Sequence, residues 1–216
     1  PDSPSFVRRE GAAVLWKRWR LLEGNALYNL DTDPCQQTNV IDQHPEVAER
    51  MLGHLDTWWA DVEPACNEVQ RVIVGSDEEN PMVLTACEWA DVFVDQQLQV
   101  RWAVRRNSYW HLQIAQAGEY EFELRRWPRE SGLALTEACG KTVVTDGEMP
   151  EGKALPIARA RVFIGGRRLV QRVAEGADCA TFQLHLAEGP ACLHTWFDDA
   201  QDQPICGAYY VHVTRL

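Results

Sequence analysis

GEYEFELRRW, residues 118–127, alternates strictly: Tyr120, Phe122 and Leu124 fall on one side of an extended chain, and Glu119, Glu121, Glu123 and Arg125 on the other. Successive side chains of a strand point to opposite faces, so this stretch reads as a half-buried β-strand. The same period of two recurs in YWHLQIA (109–115), ARVFIGG (160–166), ATFQLHL (180–186), CLHTWF (192–197) and GAYYVHV (207–213), with turn residues between. Short alternating segments at such spacing predict an antiparallel β-sandwich over residues 67–216 rather than a parallel sheet. Continuing the alternation puts Arg126 inward and Trp127 outward, and Pro128 ends the ladder there. A guanidinium at the inner edge of a strand needs a partner, and Glu130 is the local carboxylate. Arg126 is therefore expected to be a structural anchor, with Trp127 packed beneath the following loop. The Gly/Pro/charge-rich segment TDGEMPEGKALP (145–156) reads as a long exposed loop.

Upstream of residue 67 the period changes. AAVLWKRWRLLEG (12–24) and ALYNL (26–30) read as two strands of a hairpin that turns at Glu23-Gly24-Asn25. Beyond them Val47, Met51, Leu52, Leu55, Trp58, Trp59 and Val62 recur at helical spacing. Pro45 suits the first turn of that helix, Glu46 and Glu49 complement the positive end of its dipole, and Pro64 is expected to end it. Residues 1–66 thus form a small antiparallel sheet covered by one amphipathic helix, and the whole chain is predicted to be α+β.

Composition narrows the partners. The 216 residues carry a net charge of −11, with 6 basic against 11 acidic side chains in residues 1–66 and 15 against 21 in the rest. Neither part suits a nucleic acid, and no apolar run approaches the length of a membrane span. Seven cysteines without a C-x-x-C pair argue against a zinc site and a complete disulfide framework, and most are expected to be small buried hydrophobes. The six histidines show no ligand spacing. No dinucleotide fingerprint, phosphate-binding loop or nucleophile elbow is present, and Asp31 and Asp33 of DTDP read as a turn. No catalytic residue, metal ligand or cofactor is assigned to this chain.

KRWRLLEGNALYNLDTDPCQQTNVIDQHPEVAERMLGHLDTWW (17–59) resembles the C-terminal subdomain of arylsulfatase-type sulfatases. There a W-x-L-x-x-G-x-x-L-Y-x-L-x-x-D-P-x-Q-x-x-N strand pair leads to an H-P-E-V helix. The matching positions include Trp19, Tyr28, Asp33, Pro34, Asn39, His44 and Pro45, and Cys35 stands where glycine is common, which implies a turn needing no positive φ there. GSDEENPMVLTACEW, YWHLQIAQAGEYEFELRRWPRE and GAYYVHVTRL resemble the extra C-terminal β-sandwich of some bacterial sulfatases. The resemblance implies a parent that hydrolyses sulfate esters with a formylglycine, made from the Cys or Ser of a C/S-x-P-S-R motif, beside a Ca²⁺ ion, and that works in the periplasm or outside the cell. No such motif occurs here; Ser3-Pro4-Ser5 lacks its spacing and its arginine. The chain is then expected to be an inactive C-terminal portion whose partner is the sulfatase catalytic domain and whose ligand is an aryl sulfate or a sulfated glycan.

Two functions follow. One is structural support and shaping of a sulfatase substrate pocket. The alternative is a glycan-binding module that holds a sulfated polysaccharide through exposed tryptophans and Arg105, Arg106, Arg125, Arg126, Arg167 and Arg168, since guanidinium groups suit sulfate as they suit phosphate.

Overall fold

The computed structural model describes residues 9–66 and 68–216; Ser3-Pro4-Ser5 and Asn67 lie outside them. The architecture is α+β, and the chain divides into two compact units, Pro1–Val69 and Gln70–Leu216.

In the first unit three strands, β1 (Ala13–Trp16), β2 (Trp19–Leu22) and β3 (Ala26–Asn29), form an antiparallel sheet in that order. The expected single strand over 12–24 is two strands, because the chain reverses at Lys17 (φ 56) between Trp16 and Trp19. The second turn has positive φ at both Glu23 and Gly24, the pair a type I′ hairpin turn requires. Helix α1 (Pro45–Cys66) supplies Ala48, Met51 and Leu55 to a core completed by Val14, Leu21 and Leu27. It runs two residues past Pro64, which removes only its own N–H from the ladder. Trp58 stays 47% exposed although it belongs to the apolar stripe. Length explains this: four-residue strands extend about 13 Å, whereas a helix of this length runs about 33 Å.

In the second unit the strands are β4 (Val72–Val74), β5 (Met82–Thr85), β6 (Tyr109–Ile114), β7 (Gly118–Arg125), β8 (Thr142–Val144), β9 (Gly147–Met149), β10 (Arg159–Ile164), β11 (Arg167–Arg172), β12 (Ala180–Leu186), β13 (Gly189–Asp198), β14 (Pro204–Cys206) and β15 (Tyr210–Arg215). One sheet has the order β11-β10-β13-β6-β4, with β14 on β13, and the other has β12-β7-β15-β5. Their inner faces meet through Trp110, Leu112, Val162 and Phe197 on one side and Tyr120, Phe122, Leu124 and Val211 on the other. Pairings among the described residues are antiparallel except β4 with β6, and one short α-helix, α2 (Gln97–Arg101), and two 3-10 turns, Ala86–Glu88 and Arg129–Ser131, interrupt the strands. Gly75, at φ 72, lies so close to the Tyr120 ring that a Cβ would sit 2.1 Å from its oxygen. The segment read as a loop over 145–156 begins instead inside the β8–β9 hairpin.

Candidate functional site

In the first unit the motif positions are tied together by the backbone. The Asp33 carboxylate accepts the Thr38 N–H at 2.8 Å, and this bond, with others from Gln37 and Gln36, holds its pKa below the usual carboxylate range. Asn39 accepts the N–H groups of Leu27 (3.0 Å) and Ile41 (3.1 Å) and donates to Asn25 O. Trp19 packs its ring 4.7 Å from His44, Tyr28 is half-buried, and Pro34 and Pro45 are exposed. The positive φ of the acidic turn falls on Gln36, not on Cys35. These contacts close a turn and seat a helix.

The Arg126 and Trp127 side chains are both buried, at 0% and 4% exposure. Glu130 is not the partner of Arg126. The guanidinium donates to the carbonyls of Glu137 (3.0 Å) and Lys153 (2.5 Å) and lies over the Trp127 ring, whose indole N–H also reaches Glu137 O. Pro128 turns the chain so that Glu130 stays in solvent, and the carbonyls of Glu137 and Lys153, on either side of the β8–β9 hairpin, fill the site instead. Nor do the six arginines converge: Arg125 is buried against Glu123 and Asp178, Arg126 is enclosed, and Arg106 donates to Phe93 O. Most cysteines are not core residues. Cys139 and Cys206 are buried, and burial pushes the Cys206 thiol up to about 11, but Cys35, Cys87 and Cys192 are exposed because they fall on outward strand positions or loops.

A different cluster stands on the solvent face of the β11-β10-β13-β6-β4 sheet. Alternation along β6 and β13 puts Tyr109, His111, His194 and Trp196 outward, and register sets His194 opposite Tyr109. Their rings stack as a ladder: Tyr109 to His194 is 4.8 Å between centroids at 20°, and His194 to Trp196 is 5.4 Å at 12°. His111 meets Tyr109 edge-on, and Phe163 of β10, 41% exposed, meets His194 edge-on. Arg161 caps the far end, its guanidinium carbon 4.8 Å from the Trp196 centroid. Asp198, 1% exposed, holds that guanidinium through both carboxylate oxygens, with Nη2 at 2.7 Å from one of them.

With the ring faces occupied by one another, the edges carry the chemistry. The phenol of Tyr109, the imidazole nitrogens of His194 and the indole N–H of Trp196 have no hydrogen-bond partner among the described residues and are not enclosed. Desolvation lowers the pKa of His194, with His111 adding to it; desolvation and then Arg71 lower that of His111, against an opposing pull from Asp91. Both imidazoles are therefore neutral at neutral pH and offer one donor and one acceptor each. His111 Nδ1 faces the exposed Cys192 Sγ at 3.5 Å. Sequence reading passed over this ladder, although aromatic residues on the polar face of two alternating strands were a visible signal. Among the described residues no three His, Cys, Asp or Glu side chains come together as a metal site.

No protein-family model matches the chain, and no curated protein sequence does. Among solved structures it is similar to a ruminal GH26 endo-β-1,4-mannanase, with 10% identity over 66% of this chain and a TM-score of 0.33. The aligned part spans only 27% of that enzyme. It is also similar to a family 35 carbohydrate binding module from Clostridium thermocellum, with 12% identity over 64% of this chain and 90% of the module, and a TM-score of 0.31. Neither likeness is strong enough to carry a ligand over to this chain.

Proposed function

We propose that the sandwich is a glycan-binding module. The observation that carries this reading is the ladder of Tyr109, His194 and Trp196, whose donor and acceptor edges are open to solvent on an otherwise regular sheet face. Sugar hydroxyls need closely spaced donors and acceptors held rigid before binding, because ordering loose side chains costs affinity. The ladder meets that need through stacking and through the Arg161–Asp198 clamp. Affinity electrophoresis of the chain in gels containing mannan, dextran or sulfated dextran tests it. Retardation in at least one gel, lost in a Tyr109→Ala/Trp196→Ala variant that still folds, is the expected outcome. Unretarded migration in all of them overturns the reading.

A second reading concerns the first unit and is supported by the long sequence resemblance together with the turn that Asp33 and Asn39 close. In it the chain is the C-terminal, non-catalytic portion of a sulfatase-type parent, and the glycan module serves that parent. The chain alone should then release no sulfate from a chromogenic aryl sulfate, with or without Ca²⁺. Sulfate release above the buffer rate by a pure sample would sink it.

A further inference from the structure

The two outer faces of the sandwich are electrically opposite. Outward positions of β10 and β11 carry Arg159, Arg161, Arg168 and Arg172, and Asp198 is the one carboxylate among the outward positions of that sheet's strands. Outward positions of β7 in the other sheet carry Glu119, Glu121 and Glu123 with one cation, Arg125, which is already paired with Glu123 and Asp178. In a chain of net charge −11 the arginine face is the exception.

Two of the four guanidiniums are already committed: Arg161 is held by Asp198, and Arg159 is paired with Asp202. The guanidiniums of Arg168 and Arg172, both exposed residues, have neither an ion pair nor a hydrogen bond among the described residues. They lie on β11, the edge strand, four residues apart on the same face as Phe163 and Arg161, which puts their Cα atoms about 13 Å from each other. From the ladder on β6 and β13 to β11 is two or three strand spacings, about 10–15 Å, too wide for one pyranose ring.

We propose that this face binds an anionic polysaccharide, whose sugar hydroxyls lie on the ladder edges and whose charged groups reach Arg168 and Arg172. The inference rests on the glycan-binding reading. Neutral His111 and His194 add no charge, so selectivity for an anion falls to the guanidiniums, which bind sulfate or carboxylate oxygens in a planar, two-pronged way. Because these contacts sit on an open face, added salt should screen them.

The test is titration calorimetry of the whole chain against dextran, dextran sulfate and alginate, at low and moderate salt, with its sedimentation followed in parallel. Dextran sulfate or alginate should bind at least about tenfold more tightly than dextran. Arg168→Gln/Arg172→Gln should remove that preference without moving the melting temperature, while Glu119→Gln/Glu121→Gln on the opposite face should not weaken it. Equal binding of the two anionic polymers assigns the site to negative charge in general, and preference for one assigns it to sulfate or carboxylate; either supports the inference. Equal affinity for dextran and both anionic polymers overturns the inference and leaves the glycan reading intact, whereas no binding to any of the three overturns both. Anion binding that survives loss of both arginines also overturns the inference. So does concentration-dependent self-association abolished by either pair of substitutions, which would mean that the acidic face of a second copy is what the arginines bind.

Discussion

Arg126 shows what one residue can and cannot announce. Strand alternation from Tyr120 onward already directs it inward, but its partners are carbonyls 11 and 27 residues downstream, and no local pattern encodes those. Burial pulls its pKa below the usual guanidinium value, yet it stays charged because that value starts so high. Replacing it with Met would fill the volume and leave the Lys153 carbonyl without a donor, at about 1–3 kcal/mol, while Glu137 O keeps the Trp127 indole N–H. Arg126→Met should therefore lower stability by about 1–3 kcal/mol in urea unfolding and speed proteolysis between residues 137 and 153. Trp127→Ala removes a ring that roofs the guanidinium and should cost about 3–5 kcal/mol, the range for a buried large aromatic. An unchanged unfolding midpoint in Trp127→Ala would mean that the loop, not the ring, carries the packing.

At the scale of elements, strands that alternate cleanly were readable and their neighbours were not. β12 matches its alternating stretch residue for residue, whereas β4, β5, β11 and β14 are short or polar and show no period. The ladder hid for a related reason: Tyr109 and His194 are 85 positions apart, and only the β6–β13 register makes them neighbours. That packing also makes the sandwich sensitive to acid. His111, His194 and His212 each have a pKa lowered first by desolvation, so the unfolded chain binds protons more readily than the folded one. Stability then rises with pH, and its loss begins as pH falls below about 6.5. Asp33 and Asp178, lowered by the Thr38 N–H and by Arg125 respectively, add their loss only below about pH 4. The melting temperature should decline between pH 7 and pH 5, and His111→Gln/His194→Gln should flatten that decline. A slope unchanged by both substitutions would place the acid sensitivity elsewhere.

For the whole molecule, the two units differ in how much they bury. Among the described residues the first has six buried apolar side chains in its core, while more than thirty line the core of the sandwich. It also leaves Leu15 68% exposed on its edge strand beside an open notch lined by Val14, Trp16, Arg50, Met51 and His54. Chains of this length already bury a smaller share of their surface than larger domains do, and each buried aliphatic contributes only about 1.5–3 kcal/mol. Six such side chains are a small core for a unit that carries a 22-residue helix and a three-stranded sheet. The sandwich has no such deficit, with Trp110, Tyr120, Phe122, Phe197 and Tyr209 almost fully enclosed. Unfolding in urea should therefore proceed in two steps, the helix of the first unit going first and the sandwich persisting to higher denaturant. Hydrogen exchange read by mass spectrometry would see residues 45–66 exchange through an opening of low free energy while 109–125 exchange only on global unfolding. A single transition with equal protection across both units would show that the first unit draws stability from the second, and the accounting by separate cores would fail.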